Sequence, residues 1–406
     1  MTYHEAVHWM FNQLPMYQQQ GASAFRKNLD NTYLLADYLG NPERRLKAIH
    51  VAGTNGKGST SHMLSSVLMQ AGYKVGLFTS PHLKDYRERI RINGQMISED
   101  YVTEFVVTHK PFFEANNLSF FEMSVGLAFQ YFVDQKVAIA VIETGLGGRL
   151  DSTNIITPIV SVITNIGLDH TQYLGETLAE IASEKAGIIK NNVPVVIGEY
   201  TDETKPVFHS KAKETNSALH FASDYTFEVY ESDLKGYYQR HNIKTVLQTI
   251  SVLNKHTDIA LADQDIKQGL RQVTETTGLQ GRWQKLGENP LIICDTAHNK
   301  EGLTETMAQV RDMEFETLHI VLGFVNDKSI AEILPIFPKN AKYYFCSPNL
   351  TRGLAVAELQ KQAAQVGLTG NTYHSASKAY ADATKNAGPT DFIYVGGSTF
   401  VVAEIL

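Results

Sequence analysis

Continuous apolar runs, rather than apolar–polar alternation, set the rhythm of this chain. Residues 49–52, 75–79, 137–143, 160–165 and 193–197 form five such runs, separated by stretches that read as helices. A strand that is apolar on both sides must be covered on both faces, so the pattern predicts a parallel sheet with helices packed above and below it. Between 217 and 233 two further strand-like runs are expected, followed by a helix over 238–255. The segment 278–290 holds four Gly or Pro residues and reads as a link between domains, with 285–290 as the linker itself. A second series of strands then begins at 291–295, 318–324, 343–347 and 392–396, with helices between them. A chain of 406 residues is long for one domain. The pattern therefore divides it into 1–284 and 291–406, with no internal repeat or low-complexity tract.

In parallel sheets of this kind, ligands bind at the carboxyl ends of the strands. The first run leads directly into Val51-Ala52-Gly53-Thr54-Asn55-Gly56-Lys57-Gly58-Ser59-Thr60, and an amphipathic helix is expected over 61–70. Glycines let the backbone curl so that successive N–H groups point at one anion. Lys57 adds a charge, the helix N-terminus adds its partial positive charge, and Ser59 or Thr60 can reach a metal. This is a phosphate cradle of unusual spacing. Only two residues separate Gly53 from Gly56, and Gly58 stands between Lys57 and Ser59. A ligand-free glycine turn is the plain alternative, but it does not call for strand, glycines, lysine, hydroxyls and helix in this order. The fold expected is therefore α/β: a P-loop-containing, mostly parallel-sheet ATPase domain followed by a smaller Rossmann-like α/β domain.

Composition narrows the class. Hydrophobic residues make up 43% and charged residues 19%, the balance of a globular enzyme, and the formal net charge of −7 argues against a nucleic-acid or anionic-membrane partner. Two cysteines, Cys294 and Cys346, are too few for a disulfide framework and lack zinc-ligand spacing, so both are expected as buried thiols. No basic leader with an apolar core and no run of eighteen apolar residues is seen, and a cytoplasmic protein is expected.

Other candidate residues cluster after the remaining strands. Ser80-Pro81-His82 follows the second; Ser80 is either a hydroxyl ligand for a metal or a turn residue. Glu143 ends the third run and precedes Thr144-Gly145-Leu146-Gly147-Gly148-Arg149. A carboxylate there can bind Mg²⁺, whose preference for hard oxygen ligands suits ATP phosphates; a solvated strand-end acid is the alternative. His170, in Leu168-Asp169-His170-Thr171, follows the fourth run beside the same cradle. Lys185, in Ala182-Ser183-Glu184-Lys185-Ala186-Gly187, reads by itself as an exposed lysine at a helix end. After the first strand of the second series, Asp295-Thr296-Ala297-His298-Asn299 offers an acid/base pair, a nucleotide contact or a helix cap, and the residues alone do not order these choices.

Together these motifs resemble the Mur ligase superfamily, and more closely its bacterial folate branch, the dihydrofolate synthase/folylpolyglutamate synthases. The resemblance rests on Gly53 to Ser59, Ser80-Pro81-His82-Leu83 with Glu88-Arg89-Ile90, Glu143 to Asn154, Leu168-Asp169-His170 with Leu174-Gly175, Glu184-Lys185-Ala186-Gly187-Ile188, and Asp295, Ala297, His298 and Asn299. They occur in the family's order along most of the chain. The resemblance implies an amide ligase in which a folate or pteroate carboxylate attacks ATP to give an acyl phosphate, which the amine of L-glutamate then displaces.

It also implies residue roles. Thr54, Asn55, Gly56, Lys57, Gly58 and Ser59 would bind ATP, with Asn242, Arg282 and Asp295. Ser80 and Glu143 would hold one Mg²⁺, and Glu143 with His170 a second. Lys57, Lys185, His170 and Glu143 form the implied catalytic set, with Lys185 matching a lysine that family members carry as a carbamate. His82 and Phe121 are candidates for the pterin side, although Phe121 fits core packing nearly as well. His298 and Ser398 fall on the glutamate side. The chain departs from the family in three places. Asn28-Leu29-Asp30-Asn31 stands where dihydropteroate-using members often read Gly-Leu-Glu-Arg. Thr296 replaces a commoner Gly, and Lys300 a commoner Pro.

The expected activity is thus addition of L-glutamate to dihydropteroate and to folates already carrying glutamate, by a monomer. A folylpolyglutamate synthase alone is the nearest alternative. A cell-wall Mur ligase is more distant, because only about fifty residues precede the cradle, too few for a nucleotide-sugar domain. A nucleotide-regulated binding protein would not need a carboxylate, a histidine and a second Rossmann-like unit.

Overall fold

A computed structural model describes residues 1–13, 28–326 and 330–406. They form two compact units, one of residues 1–233 with 240–279 and the other of 234–239 with 280–406.

The first unit is built on β1 (Ala48–Ala52), β2 (Val75–Phe78), β3 (Ile90–Ile92), β4 (Gln95–Met96), β5 (Ile139–Glu143), β6 (Val160–Ile163), β7 (Val195–Ile197) and β8 (Leu219–Phe221). Their order across the sheet is β4-β3-β2-β5-β1-β6-β7-β8. The six strands from β2 to β8 in that order are parallel, and β3 and β4 add an antiparallel edge. Every residue of β1, β2, β5, β6 and β7 is buried, which is what the unbroken apolar runs anticipate. The helix Phe120–Asp134 buries Met123, Leu127 and Phe129 in the adjoining core. Each such side chain contributes roughly 1.5–3 kcal/mol of burial free energy. Its start is fixed by a capping box, in which Ser119 and Glu122 each bond the other's backbone N–H.

The second unit comprises β9 (Gln284–Glu288), β10 (Leu291–Cys294), β11 (Leu318–Leu322), β12 (Lys342–Cys346), β13 (Gly370–Tyr373) and β14 (Phe392–Gly396), in the order β13-β12-β11-β14-β10-β9. All are parallel except β9, which runs antiparallel to β10. Cys294 and Cys346 lie buried in β10 and β12 as free thiols, and burial pushes the Cys294 thiol up to about 12.

Several expectations need correction. Residues 285–290 do not form a bare link: most of them belong to β9 and the turn that folds it back on β10. Gly287 and Pro290 mark that edge hairpin rather than a tether. Only one strand, β8, forms within 217–233. The second run, around Tyr225 to Tyr230, acquires no neighbouring strand among the described residues, and Val229 is 98% exposed. The helix after the cradle starts at Lys57 instead of 61, because Gly56 (φ +82°) turns the chain into it. Edge strands β3, β4 and β13 were not anticipated, since short strands with mixed faces carry little apolar signal. The helix expected over 238–255 spans Gln239–His256. Among the described residues, no helix is long and apolar enough to cross a membrane.

For the site, the strand order is decisive. The segments after β2, β5, β1, β6 and β7 leave one edge of the sheet side by side, in steps of about 4.8 Å.

Candidate active site

In the first unit the cradle follows β1, and its shape is held from β6. The backbone N–H groups of Thr54 and Asn55 donate to the carbonyl and the Oδ1 of Asn165 (3.0 and 2.9 Å). Thr164 Oγ1 donates to the Asn55 carbonyl (2.5 Å), and Thr54 Oγ1 exchanges hydrogen bonds with the backbone of Gly167. The first two amides of the loop are therefore committed to bracing it. The amides at the start of the following helix, Lys57–Gln70, are the ones an anion would meet.

Two glycines in the loop have steric reasons. A Cβ on Gly53 (φ +150°) would stand 1.8 Å from Thr164 Oγ1, and one on Gly56 would stand 2.1 Å from Asn242 Oδ1. Gly53→Ala should therefore push Thr164 off the Asn55 carbonyl and destabilise the unit by roughly 1–3 kcal/mol. A thermal unfolding midpoint within 1 °C of the parent would refute this.

Two lysines converge beneath the loop. Lys57 Nζ donates to the carbonyls of Gly53 (3.0 Å) and Thr54 (3.2 Å), and Lys185 Nζ donates to the same Gly53 carbonyl (2.9 Å). Lys185 is not the exposed lysine its local sequence suggests. It is 4% exposed, and burial, reinforced by the nearby Lys57 charge, lowers its pKa to about 7 against the pull of Asp169 and Asp151. Its helix, Leu178–Ala186, is fixed at the start by a capping box between Thr177 and Glu180. The loop after β5 fixes its end: a Cβ on Gly148 would meet the Glu184 carbonyl at 2.8 Å, and one on Gly187 would meet Arg149 Cβ at 2.4 Å. Gly148, with Gly187 opposite, is thus what lets the loop lie directly on the turn carrying Lys185.

Glu143, the last residue of β5, pairs in register with Val51 of β1 and is 3% exposed. It is no solvated strand-end acid. The N–H of Ser80, after β2, donates to Glu143 Oε2 (3.2 Å). The buried hydroxyls Thr60 Oγ1 and Thr144 Oγ1 have no hydrogen-bond partner among the described residues. A buried carboxylate at a strand end fits a hard, oxygen-seeking cation. No cluster of three or more His, Cys, Asp or Glu poised for a metal occurs among the described residues. His170, after β6, adopts φ +53° at the start of the helix Thr171–Leu174, and its N–H donates to Asp169 Oδ1 (2.9 Å). A left-handed non-glycine residue at a strand-end loop stores backbone strain of about 1–3 kcal/mol.

His82 and Phe121 lie on the β2 and β5 side. His82 Nδ1 accepts from Arg89 Nε (2.7 Å), and burial, with the Arg89 charge, lowers its pKa to about 3. Its ring is therefore neutral, with the hydrogen on Nε2. Phe121 lies over Gly145, where a Cβ would come within 2.5 Å of its Cζ. It is both partly buried against the core and at the lip of the Glu143 loop.

Sequence reasoning overlooked Asp151. Its Oδ2 accepts from the N–H groups of Gly145 and Leu146, both at 2.8 Å, and its Oδ1 accepts from Thr153 N and Oγ1. It thereby shapes the loop after Glu143. A lone Asp amid Ser, Thr and Asn reads as a turn, and only the fold shows which amides it holds. Asp30 begins the helix Asp30–Tyr38 within the departed Asn28–Asn31 stretch, and Asn31 Nδ2 donates to the Asn116 carbonyl (3.1 Å).

In the second unit, Asp295 follows β10. Its carboxylate accepts from Tyr238 OH, Trp283 N (both 2.7 Å) and Ala297 N (2.8 Å), while burial raises its pKa against these donors and the Arg282 charge. Arg282 Nη1 donates to the Gly281 carbonyl (3.3 Å). Asn299 caps the helix Lys300–Arg311 by accepting from Gly302 N (3.0 Å), so one of the roles left open for this motif is filled. His298 Nδ1 donates to the Thr296 carbonyl (3.0 Å). Ser398, after β14, caps Thr399–Ala403 through Phe400 N (3.2 Å). His298 and Ser398 thus follow adjacent strands of one sheet edge.

Comparison with known proteins matches both units. The model of the Mur ligase middle domain matches residues 51–262, and that of the Mur ligase, glutamate ligase domain matches residues 281–399. The chain is 36% identical over 358 residues to the dihydrofolate synthase/folylpolyglutamate synthase of Bacillus subtilis, covering 80% of each. It is 31% identical over 427 residues to a probable bifunctional folylpolyglutamate synthase/dihydropteroate synthase of Haloferax volcanii, of which it spans half the length. Its structure is similar to that of E. coli FolC in complex with DHPP and ADP, with a TM-score of 0.86 at 27% identity, covering 100% of this chain and 97% of that one. A bifunctional folylpolyglutamate synthase/dihydrofolate synthase with Mn, AMPPNP and L-glutamate bound gives a TM-score of 0.85 at 28% identity, with the same coverage.

Proposed function

The chain belongs to the Mur ligase family, in its dihydrofolate synthase/folylpolyglutamate synthase branch, and from that premise we propose that it is an ATP-dependent ligase joining L-glutamate to folates, with dihydropteroate as a second acceptor. The observation that carries this reading is the convergence of Lys57 and Lys185 on the Gly53 carbonyl, one strand from the buried Glu143. Such a site places the Lys57 charge and a buried lysine with a lowered pKa, Lys185, where a phosphoryl group would transfer.

The reaction balances in two steps. An acceptor carboxylate oxygen forms a bond to the γ-phosphorus of ATP, and ADP leaves. The amine of glutamate then attacks the acyl carbon, the carbon–oxygen bond to phosphate breaks, and the ammonium proton is released. Such a site works by positioning reactants and offsetting charge. The amides from Gly56 to Ser59, with Lys57, hold the phosphates; Thr54 and Asn55 shape the loop. Asn242 in the first unit, and Arg282 and Asp295 in the second, are each assigned a nucleotide-contact role. His82, as a neutral Nε2–H donor, and Phe121 face the acceptor, while His298 and Ser398 serve glutamate. Ser80, Glu143 and His170 would hold divalent cations, which we assign as two Mg²⁺ ions; when bound, they would neutralise the charge developing on the transferred phosphoryl group. Lys185 as a carbamate would add an anion beside them. We assign the ATP-binding role to 1–284 and the glutamate-ligase role to 291–406. A ligase consuming ATP would act in the cytoplasm.

The test supplies the protein with ATP, Mg²⁺, L-glutamate and either dihydropteroate or tetrahydrofolate and measures ADP release. Dependence on every component is expected with both acceptors. Turnover with tetrahydrofolate alone would remove the bifunctional claim, and ATP hydrolysis indifferent to acceptor would remove the ligase reading.

A further inference from the structure

Asn242 and the phosphate cradle are joined by a chain of hydrogen bonds to which the reaction assigns no part. Asn55 N donates to Asn165 Oδ1 (2.9 Å), and the Asn165 side chain in turn bonds Glu199, which follows β7. Glu199 Oε1 lies 2.8 Å from His241 Nδ1. Arg240 Nε donates to His241 Nε2 (3.0 Å), so the ring presents its hydrogen at Nδ1, toward Glu199. The next residue is Asn242, whose Oδ1 lies against Gly56, where even a Cβ would come within 2.1 Å. Gly56 follows Asn55, so the contacts close into a ring. The start of the helix is also seated against the sheet: a Cβ on Gly198 would meet Thr245 Oγ1 at 2.3 Å. Burial alone would raise the Glu199 pKa, yet the hydrogen bonds from His241 and Asn165, with the Arg240 charge, hold it below the ordinary carboxylate range.

We propose that Glu199 and His241 are positioning residues for ATP, setting the register between the Gly56 turn and Asn242 through Asn165. The proposal rests on the reading of this cradle as an ATP site. Both side chains are about one-third exposed, so each bond is worth little in global stability. Their effect falls on geometry. If the ring opens, Asn242 is free to shift against Gly56, and the cradle amides lose one of their two braces. Because one break opens the whole ring, the effects of two breaks do not add.

The experiment measures steady-state kinetics of Glu199→Ala, His241→Ala and the double variant, varying ATP, acceptor and glutamate separately, with ADP affinity by calorimetry and thermal midpoints beside them. The KM for ATP should rise about fivefold in each single variant and no further in the double variant. The acceptor and glutamate KM values should stay within twofold. His241→Asn, which keeps a donor near the Nδ1 position, should restore most of the ATP KM; a merely structural role would not give that pattern. Unchanged ATP KM in both single variants, multiplicative losses in the double variant, or equal losses for all three substrates would overturn the proposal. ADP failing to bind the parent protein would instead overturn the ATP-site reading beneath it.

Discussion

Lys57→Ala should lower ATP-dependent glutamate ligation roughly 100- to 1000-fold while leaving a folded protein. Among the described residues the hydrogen bonds of the ammonium go to carbonyls of its own loop, Gly53 and Thr54, so its removal breaks no core contact. Stability should change by no more than about 1 kcal/mol. Charge placed where a phosphoryl group is transferred matters far more to the barrier, because a fixed cation in a water-poor site stabilises the transition state without reorganising. ADP release under saturating substrates, read beside a thermal midpoint, separates the two effects. Turnover within tenfold of the parent would refute the assignment, and a collapsed midpoint would show that Lys57 supports the loop instead.

Lys185→Ala should reduce ligation about 100-fold, and added bicarbonate should not restore it. Carbon dioxide adds only to a neutral amine, forming the carbamate and releasing a proton, and few lysines are neutral near pH 7. Here burial and the neighbouring Lys57 lower the pKa to about 7. The sign follows directly. Below about pH 7 the ammonium form dominates and carbamate formation falls; above it the free amine is plentiful. Parent enzyme stripped of carbon dioxide at pH 6 should therefore lose activity and regain it with bicarbonate at pH 8, and ¹³C-bicarbonate should give a carbamate resonance absent from Lys185→Ala. Full activity in that variant would show that no carbamate is needed. The same shift links to stability: folding resists protonation of Lys185, so in bicarbonate-free buffer its penalty is full below pH 7 and fades as pH rises toward the unfolded value near 10.5.

The parallel sheet and the cradle were legible because their signals are local. An apolar run buried on both faces, such as β5, reads the same in any context, and the cradle is one contiguous turn. The errors fell where partners decide. Residues around Val229 have strand-like composition but no strand beside them, and β9 looks like a linker until β10 is there to pair with it. Lys185 illustrates the same limit at the level of one side chain. Its neighbours in sequence describe an exposed helix end, whereas its neighbours in space are Gly53 and Lys57, more than a hundred residues away.

By itself, then, the sequence determined which segments are strands buried on both faces, where the glycine-rich turn after β1 lies, and which residue types stand after each strand, because hydrophobic period and glycine placement act over a few residues. The tertiary structure alone decided that β5 and β6 flank β1. That order puts Glu143 beside Val51, seats Asn165 under Asn55 and closes the ring through Glu199 and His241 to Asn242. It also set the burial that leaves Lys185 close to neutral, since the pKa of a lysine depends on the water and charges around it and not on its position along the chain.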